Sequence, residues 1–168
     1  MMAALGGLVK ILQWNAQGVS TSKEDLLKLV DEHQPMIIAI QETFLADDVA
    51  VKIKGFNSYS RQGKFNRRYH GGISTYIHES MPAETIDFIT QYQTVIVRVN
   101  LKKNRTITVV NIYIPGSATF KPGELNRMID QLPKPVLIAG DFNAHHTVWG
   151  NLNSDRRGRM LEAIITEK

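Results

Sequence analysis

The sequence of 168 residues contains no cysteine, which excludes disulfide bonds and thiolate metal sites. It contains no apolar run approaching the roughly 18 to 20 residues that span a bilayer. Its N-terminal stretch, MMAALGGLVKILQWN, lacks an early basic residue before the short apolar segment. We therefore predict no membrane span and no signal peptide. Any bound metal ion must be held by oxygen or imidazole ligands.

Acidic residues are scarce around two groups of basic residues, within a chain of formal net charge +4 and pI near 9.4. We call the first group the basic loop; its members are Arg61, Lys64, Arg67 and Arg68. The second group follows a single aspartate and comprises Arg156, Arg157 and Arg159. Each group is consistent with contacts to a polyanion such as nucleic acid, or with a solvated loop.

Apolar content of 43% and charged content of 21% are typical of one globular domain. We interpret residues 1–7 as a flexible leader to a single domain spanning 1–168. Apolar periodicity and turn residues predict strands at 8–14, 36–43, 55–62, 71–78, 94–101, 105–114 and 135–143. The same signals predict helices at 22–33, 122–132 and 158–168. This order indicates an α/β fold, with sheets packed as a two-sheet sandwich and covered by helices.

Four of the apolar strands end in polar residues, at the ends where α/β sheets commonly place their ligand sites. These side chains are Asn15, the pair Gln41 and Glu42, the pair Asn111 and Tyr113, and the pair Asp141 and Asn143. Residues i and i+2 of a strand share a face, which predicts that the members of each of the last two pairs lie side by side. One acid at a strand end is commonly a cap or turn residue, but four such sites favour a reaction centre.

The residue types of this set suit phosphodiester hydrolysis, because an anionic substrate needs a hard divalent cation to offset its charge. Mg²⁺ binds through few carboxylates plus water, and Glu42 is the natural anchor for it. Asn15, Asn143 and Tyr113 would add neutral ligands or donors around a phosphate. Asp141 could orient or deprotonate the attacking water.

Two histidines and a tryptophan follow this set in the sequence AHHTVWG. His145 and His146 are adjacent, so on a strand they would face opposite sides. We favour a loop that meets substrate or packs locally over a zinc site. Trp149 could stack on a base or enter a groove, or it could pack on the domain surface. The pair Gly71 and Gly72 indicates a tight turn or a close backbone approach.

Five motifs in order, ILQWNAQG, IIAIQET, GGISTYI, VVNIYIP and IAGDFNAHHTVWG, resemble the endonuclease/exonuclease/phosphatase superfamily from about residue 9 to residue 165. The phrase GDFNAHHTVWG, followed by NSDRRGRMLE, more narrowly resembles the endonuclease domain of Jockey- and I-like non-LTR (LINE-type) retrotransposons. The resemblance implies a four-layer α/β sandwich of two mostly antiparallel sheets flanked by helices.

The resemblance also implies a role for each matching residue. Glu42 corresponds to the main Mg²⁺ ligand, with Mn²⁺ as an alternative ion, and Asn15 helps to place metal and phosphate. Tyr113 contacts the scissile phosphate. Asp141 and Asn143 position the water and the transition state, so that the implied metal set comprises Asn15, Glu42, Asp141 and Asn143.

The family further implies double-stranded DNA as substrate, nicked in the nucleus to prime reverse transcription by a reverse transcriptase domain of the same polyprotein. The implied nucleic-acid contacts are Arg61, Lys64, Arg67, Arg68, His145, His146 and Trp149. Phosphate contacts of this kind would dominate the affinity for DNA.

The family's last strands, with a Ser-Asp-His motif, are not found before Lys168. We therefore expect a fragment lacking C-terminal strands, arising from a truncated gene model, a decayed element or one exon. Such a fragment is expected to have weak activity or none, and to be poorly stable because sheet edges and apolar faces are unpaired. The alternatives are an apurinic-type repair nuclease or other phosphoesterase, and a non-catalytic remnant that only binds nucleic acid.

Overall fold

The computed structural model describes residues 8–46, 51–65, 68–69, 71–101 and 104–167. The predicted leader 1–7 and Arg67 lie outside these residues, and for Lys64 and Arg68 only the backbone is described. The helices are α1 (Lys23–His33), α2 (Pro122–Gln131) and α3 (Arg156–Glu167), with a short 3-10 helix at Thr147–Trp149. The strands are β1 (Ile11–Asn15), β2 (Ile37–Gln41), β3 (Phe56–Arg61), β4 (Lys64–Phe65), β5 (Arg68–Tyr69), β6 (Ile73–His78), β7 (Ala83–Thr85), β8 (Gln93–Leu101), β9 (Arg105–Tyr113) and β10 (Val136–Asp141).

Two four-stranded mixed sheets carry the fold, with strand orders β1-β2-β6-β3 and β10-β9-β8-β7. Strand β1 is parallel to β2, and β10 is parallel to β9, whereas the other pairs in both sheets are antiparallel. The parallel registers set Asn15 opposite Gln41, and Asp141 opposite Tyr113. Each sheet therefore brings two polar residues of neighbouring strands to one edge.

Three apolar clusters separate four layers, as the resemblance implied. The inner cluster lies between the sheets and includes Ile37, Ile77, Val97 and Val109. A second cluster packs Leu26 of α1 on the outer face of the first sheet. The third packs α2 and α3 on the outer face of the second sheet through residues such as Leu125, Met128, Leu161 and Ile164. The predicted four-layer α/β sandwich is confirmed.

Local details differ from the sequence-based expectations. Helix α1 begins at Lys23, one residue after its predicted start. Ser22 makes no capping hydrogen bond, and Gln34 ends this helix in the left-handed conformation. Strand β7 is only three residues long and was not predicted, because so short a segment has no recognisable period. Among the described helices, none has the length and apolar character needed to cross a bilayer.

Candidate active site

Asn15 joins the ends of the two sheets. Its side-chain nitrogen donates to Oε1 of Glu42 at 2.8 Å and to Oδ2 of Asp141 at 2.6 Å. Both carboxylates therefore converge on one small region, although their residues are about a hundred positions apart in the chain. Each of the three side chains is half-buried, so the site is open to a ligand but shielded from bulk solvent on one side.

Tyr113 forms a further wall of this site. Burial, a hydrogen bond with Glu42, and the negative charges of Glu42 and Asp141 all raise the pKa of the Tyr113 hydroxyl. The hydroxyl therefore keeps its proton over the physiological pH range and remains a donor. The structure thus brings Asn15, Glu42, Tyr113 and Asp141 together, as the sequence predicted.

The backbone at Glu42 is held in an unusual conformation. Its φ is +51°, in the left-handed region that costs energy for residues with a side chain. The Glu42 carbonyl accepts from the Gly18 amide at 2.8 Å, and the next amide, of Thr43, donates to Gly72 at 3.1 Å. A Cβ on Gly72 would lie 2.6 Å from the Thr43 hydroxyl oxygen, so the predicted close approach at this glycine is present.

Asp141 and Asn143 lie close together because the backbone turns after Asp141, and not because they share one face of a strand. Strand β10 ends at Asp141, and Asn143 adopts φ +47°, so the prediction that both lie on one strand was wrong. Oδ1 of Asp141 instead accepts from the Asn143 backbone amide at 2.8 Å, and the Asn143 side-chain nitrogen donates to the Ile114 carbonyl at 3.1 Å. Gly140 is required nearby, because a Cβ there would lie 2.0 Å from the Ile112 carbonyl.

A chain of three amides underlies the site. Gln13 donates to Gln41 at 2.6 Å, and Gln41 donates to Asn111 at 2.7 Å. The Asn111 nitrogen then crosses between the sheets to the carbonyls of Ile40 and Ser74. Sequence analysis did not single out Gln13. The available signal was its spacing of two residues from Asn15, which places both side chains on one face of β1.

The loop after Asn143 is held mainly by contacts within itself. The His146 ring accepts from the Val148 amide, and its centroid lies 5.0 Å from that of Trp149. The Trp149 indole donates to the Ala144 carbonyl at 3.0 Å. The ring of His145 lies 2.8 Å from Asp155. Local packing, one of the two functions considered for this loop, is therefore present, and DNA contact remains a prediction.

The two basic groups differ in their surroundings. Arg61 of the basic loop is exposed. In the second group, Arg156 and Arg159 are exposed, but Arg157 is half-buried and its guanidinium donates to backbone carbonyls. The solvated-cluster interpretation therefore fails for Arg157, because its donors are directed into the protein.

The donor set at the site fits a hard divalent ion bound by few protein ligands. Within the described ranges there is no group of three or more histidine, cysteine or acidic residues able to hold a metal. The two carboxylates around Asn15 are the number that Mg²⁺ commonly takes from a protein, with water and substrate phosphates completing its shell. Glu42 and Asp141 are thus the residues suited to hold it.

Comparison with known proteins agrees with this architecture. The sandwich resembles the endonuclease domain of TRAS1, a telomere-specific non-LTR retrotransposon, with a TM-score of 0.76, 20% sequence identity, and coverage of 95% of this chain and 71% of that one. The sequence profile of the endonuclease/exonuclease/phosphatase family matches residues 12–166. The chain belongs to this family.

Two curated relatives differ in the activity that their names describe. The RNA-directed DNA polymerase from mobile element jockey of Drosophila melanogaster is 28% identical over 159 residues, which are 94% of this chain and 17% of the relative. The mouse protein called DNA-(apurinic or apyrimidinic site) endonuclease 2 is 22% identical over 209 residues, covering 89% of this chain and 39% of the relative. The chain thus spans less than a fifth of the first relative's length.

Proposed function

We propose that this chain carries the site of a Mg²⁺-dependent DNA endonuclease, which nicks double-stranded DNA by phosphodiester hydrolysis. The observation that carries the proposal is the convergence of Glu42 and Asp141 on the Asn15 amide, next to the protonated Tyr113 hydroxyl. The carboxylates can hold a metal ion, and the neutral amides and the phenol can bind a phosphodiester without adding negative charge to the site.

Each residue has a separate task in this proposal. Glu42 and Asp141 hold the ion, which when bound supplies positive charge to offset that of the scissile phosphate. Asp141 also orients the attacking water. Asn15 donates both of its amide hydrogens to these carboxylates and so holds them in place for metal and phosphate. Tyr113 donates a hydrogen bond to a phosphate oxygen, and Asn143 stabilises the charge that develops on the phosphate.

Double-stranded DNA is the proposed substrate, contacted by the basic loop and by His145, His146 and Trp149. The jockey relative is described as an RNA-directed DNA polymerase. We therefore propose that a reverse transcriptase domain belongs to the same parent polyprotein, that the nick primes reverse transcription, and that the reaction takes place in the nucleus.

A plasmid-nicking assay with Mg²⁺ tests the proposal. We expect the 168-residue chain to convert supercoiled plasmid to the open circle only weakly, and Glu42→Ala and Asp141→Asn to lower that rate at least about 100-fold. Glu84→Gln, which removes an exposed acid of β7, serves as the control and should nick like the wild type. Equal nicking by Glu42→Ala and the wild type would contradict the metal assignment.

Metal binding is measured separately, because a chain of this length could bind the ion and yet cleave slowly. Electron paramagnetic resonance of added Mn²⁺ should show binding to the wild type and to Glu84→Gln, and loss of binding in Glu42→Ala.

The similarity to the mouse apurinic-site endonuclease supports a second candidate function, cleavage at abasic sites. A duplex with one abasic site, nicked much faster than its intact counterpart, would favour that candidate.

A further inference from the structure

Arg157, in the first turn of α3, contacts the two loops that follow β9 and β10 beside the candidate active site. One of its terminal nitrogens lies 2.9 Å from the Phe142 carbonyl and 3.1 Å from that of Pro115, and the other lies 3.0 Å from that of Gly116. The carbonyls of Ile114 and Ala118 accept from it as well. One side chain thus joins the segment 114–118 to the residue that follows Asp141.

The joined segments border the proposed catalytic groups directly. Segment 114–118 begins immediately after Tyr113, and Phe142 lies between Asp141 and Asn143. The same two segments also bond to each other, because the Ile114 amide donates to the Asp141 carbonyl at 2.9 Å. Arg157 therefore adds a second link between the loop after Tyr113 and the loop after Asp141, which the Ile114–Asp141 hydrogen bond already joins.

The start of α3 is fixed in a position that directs Arg157 toward these loops. Oδ1 of Asp155 accepts from the Gly158 amide at 2.6 Å, and the Asp155 amide donates to the His145 carbonyl at 2.9 Å. A Cβ on Gly158 would lie 1.9 Å from that same carbonyl oxygen, so only glycine permits the helix to approach this closely. In the sequence DRRG, Asp155 and Gly158 thus fix the start of the helix from which Arg157 extends.

We propose that Arg157 is a positioning residue of the nuclease site, which holds Tyr113 and Asn143 at their working distance from Asp141, and that it is not a phosphate contact. This inference rests on the proposed function. A guanidinium has five N–H donors in a rigid planar fork, whereas an ammonium offers three donors from one point. Lysine would keep the charge, but the three donors of one nitrogen could not serve the carbonyls of Ile114, Pro115, Gly116, Ala118 and Phe142 together.

Three variants test this assignment. Arg157→Ala removes both the charge and the contacts, and Arg157→Lys keeps the charge. Arg127→Ala is the matched control, because Arg127 is an exposed arginine of α2 that also donates to one carbonyl, that of Ile89. Nicking is measured at saturating plasmid, at a temperature where circular dichroism shows every variant to be folded. DNA affinity is measured as a function of salt.

We expect both Arg157 variants to lower the maximal nicking rate by about 10- to 100-fold, the loss typical of small misplacements of reacting groups. Their DNA affinity and its salt slope should stay within about twofold of the wild type, since no phosphate contact is lost. Guanidinium ion at a few millimolar should partly restore nicking in Arg157→Ala, and an equal concentration of NaCl should not. Arg127→Ala should match the wild type throughout.

A lower salt slope with an unchanged maximal rate in Arg157→Ala would identify a phosphate contact and overturn the proposal. Full activity in Arg157→Lys would overturn it as well. A wild type that neither nicks DNA nor binds Mn²⁺ would instead refute the proposed function. Whenever the wild type does not nick, the side-chain amide signal of Asn143 in NMR spectra tests the positioning role. That signal should shift in Arg157→Ala and stay in place in Arg127→Ala, and an unshifted signal in Arg157→Ala would refute positioning.

Discussion

Tyr113 is the residue whose ionisation state bears most directly on the proposed chemistry. Its pKa is raised by burial first, and then by Glu42 and Asp141, so the hydroxyl stays a donor as the pH rises toward 10. We predict that Tyr113→Phe lowers the nicking rate by about 10- to 1,000-fold, the cost of removing one donor from a developing charge. Single-turnover nicking between pH 7 and pH 10 measures this.

The pH dependence of the nicking rate tests whether the Tyr113 hydroxyl acts as a hydrogen-bond donor. Because the tyrosine stays protonated, the ratio of wild-type to Tyr113→Phe rates should remain constant over this range. A ratio that falls toward one as the pH approaches 10 would show that the hydroxyl ionises and would refute the prediction. Tyr59→Phe is the control, since that hydroxyl donates to the Ala83 carbonyl within the sandwich.

At this scale the sequence predicted which side chains assemble but not how they do so. Asn15, Glu42, Tyr113 and Asp141 could be selected because each lies at the end of an apolar strand. The bond from the Asp141 carboxylate to the Asn143 amide could not be predicted, because it depends on the backbone leaving the strand at that point. The burial of Asn111 between sheets likewise follows from tertiary packing, which a single strand pattern does not encode.

Two glycines in helices α2 and α3 are predicted to respond oppositely to the same substitution. Gly158→Ala introduces a Cβ 1.9 Å from the His145 carbonyl, whereas a Cβ at Gly123 meets nothing within 4 Å. Gly158→Ala should therefore destabilise the protein by about 1–3 kcal/mol. Gly123→Ala should stabilise it by up to about 1 kcal/mol, because alanine has the higher helix propensity. Urea unfolding of both variants measures this, and equal midpoints would contradict the close approach of α3.

The N-terminus of α3 also predicts acid sensitivity. The pKa of Asp155 is lowered to about 2 because the Gly158 amide, and then the His145 ring, donate to its carboxylate. A carboxyl group whose pKa is lowered by folding stabilises the native state above its unfolded pKa, and this contribution is lost as the pH falls. Stability should therefore decrease between about pH 4 and pH 2 through this group, and less so in Asp155→Asn. Urea midpoints measured across that range test it, and identical pH dependence in both proteins would exclude Asp155 as the cause.

Among the elements, long periodic segments were predictable and short ones were not. Residues 122–132 were predicted as a helix from Pro122 and Pro133, and α2 ends one residue earlier. The predicted helix 158–168 begins two residues earlier, at Arg156, because Asp155 caps it and the basic residues gave no apolar signal. The two-residue strands β4 and β5 carry no detectable pattern at all.

For the whole molecule, the basic loop predicts how DNA affinity responds to salt. Each phosphate contact contributes about 0.9 to the slope of log affinity against log salt. Changing Arg67 and Arg68 together to alanine should therefore weaken binding and reduce the slope by about 2. The control is Lys52→Ala with Lys54→Ala, which removes the same charge from exposed positions. A slope equal to that of the wild type would count against the loop as a phosphate contact.

The layered architecture followed from the sequence because the apolar patterns of strands and helices each require a partner surface. The order of strands within the two sheets did not follow from it. β6 pairs with both β2 and β3. All strands share the same two-residue alternation of side chains, so this pattern does not indicate which strands pair.

At Glu42 the left-handed backbone favours glycine for stability, whereas the proposed catalysis needs the acid. A residue with a side chain is disfavoured in that conformation by about 1–2 kcal/mol, whereas glycine is not. A library of random variants sorted only for survival on heating should therefore accumulate Glu42→Gly, and one sorted for nicking should retain the acid. Selection for activity and selection for stability would therefore favour different residues at position 42.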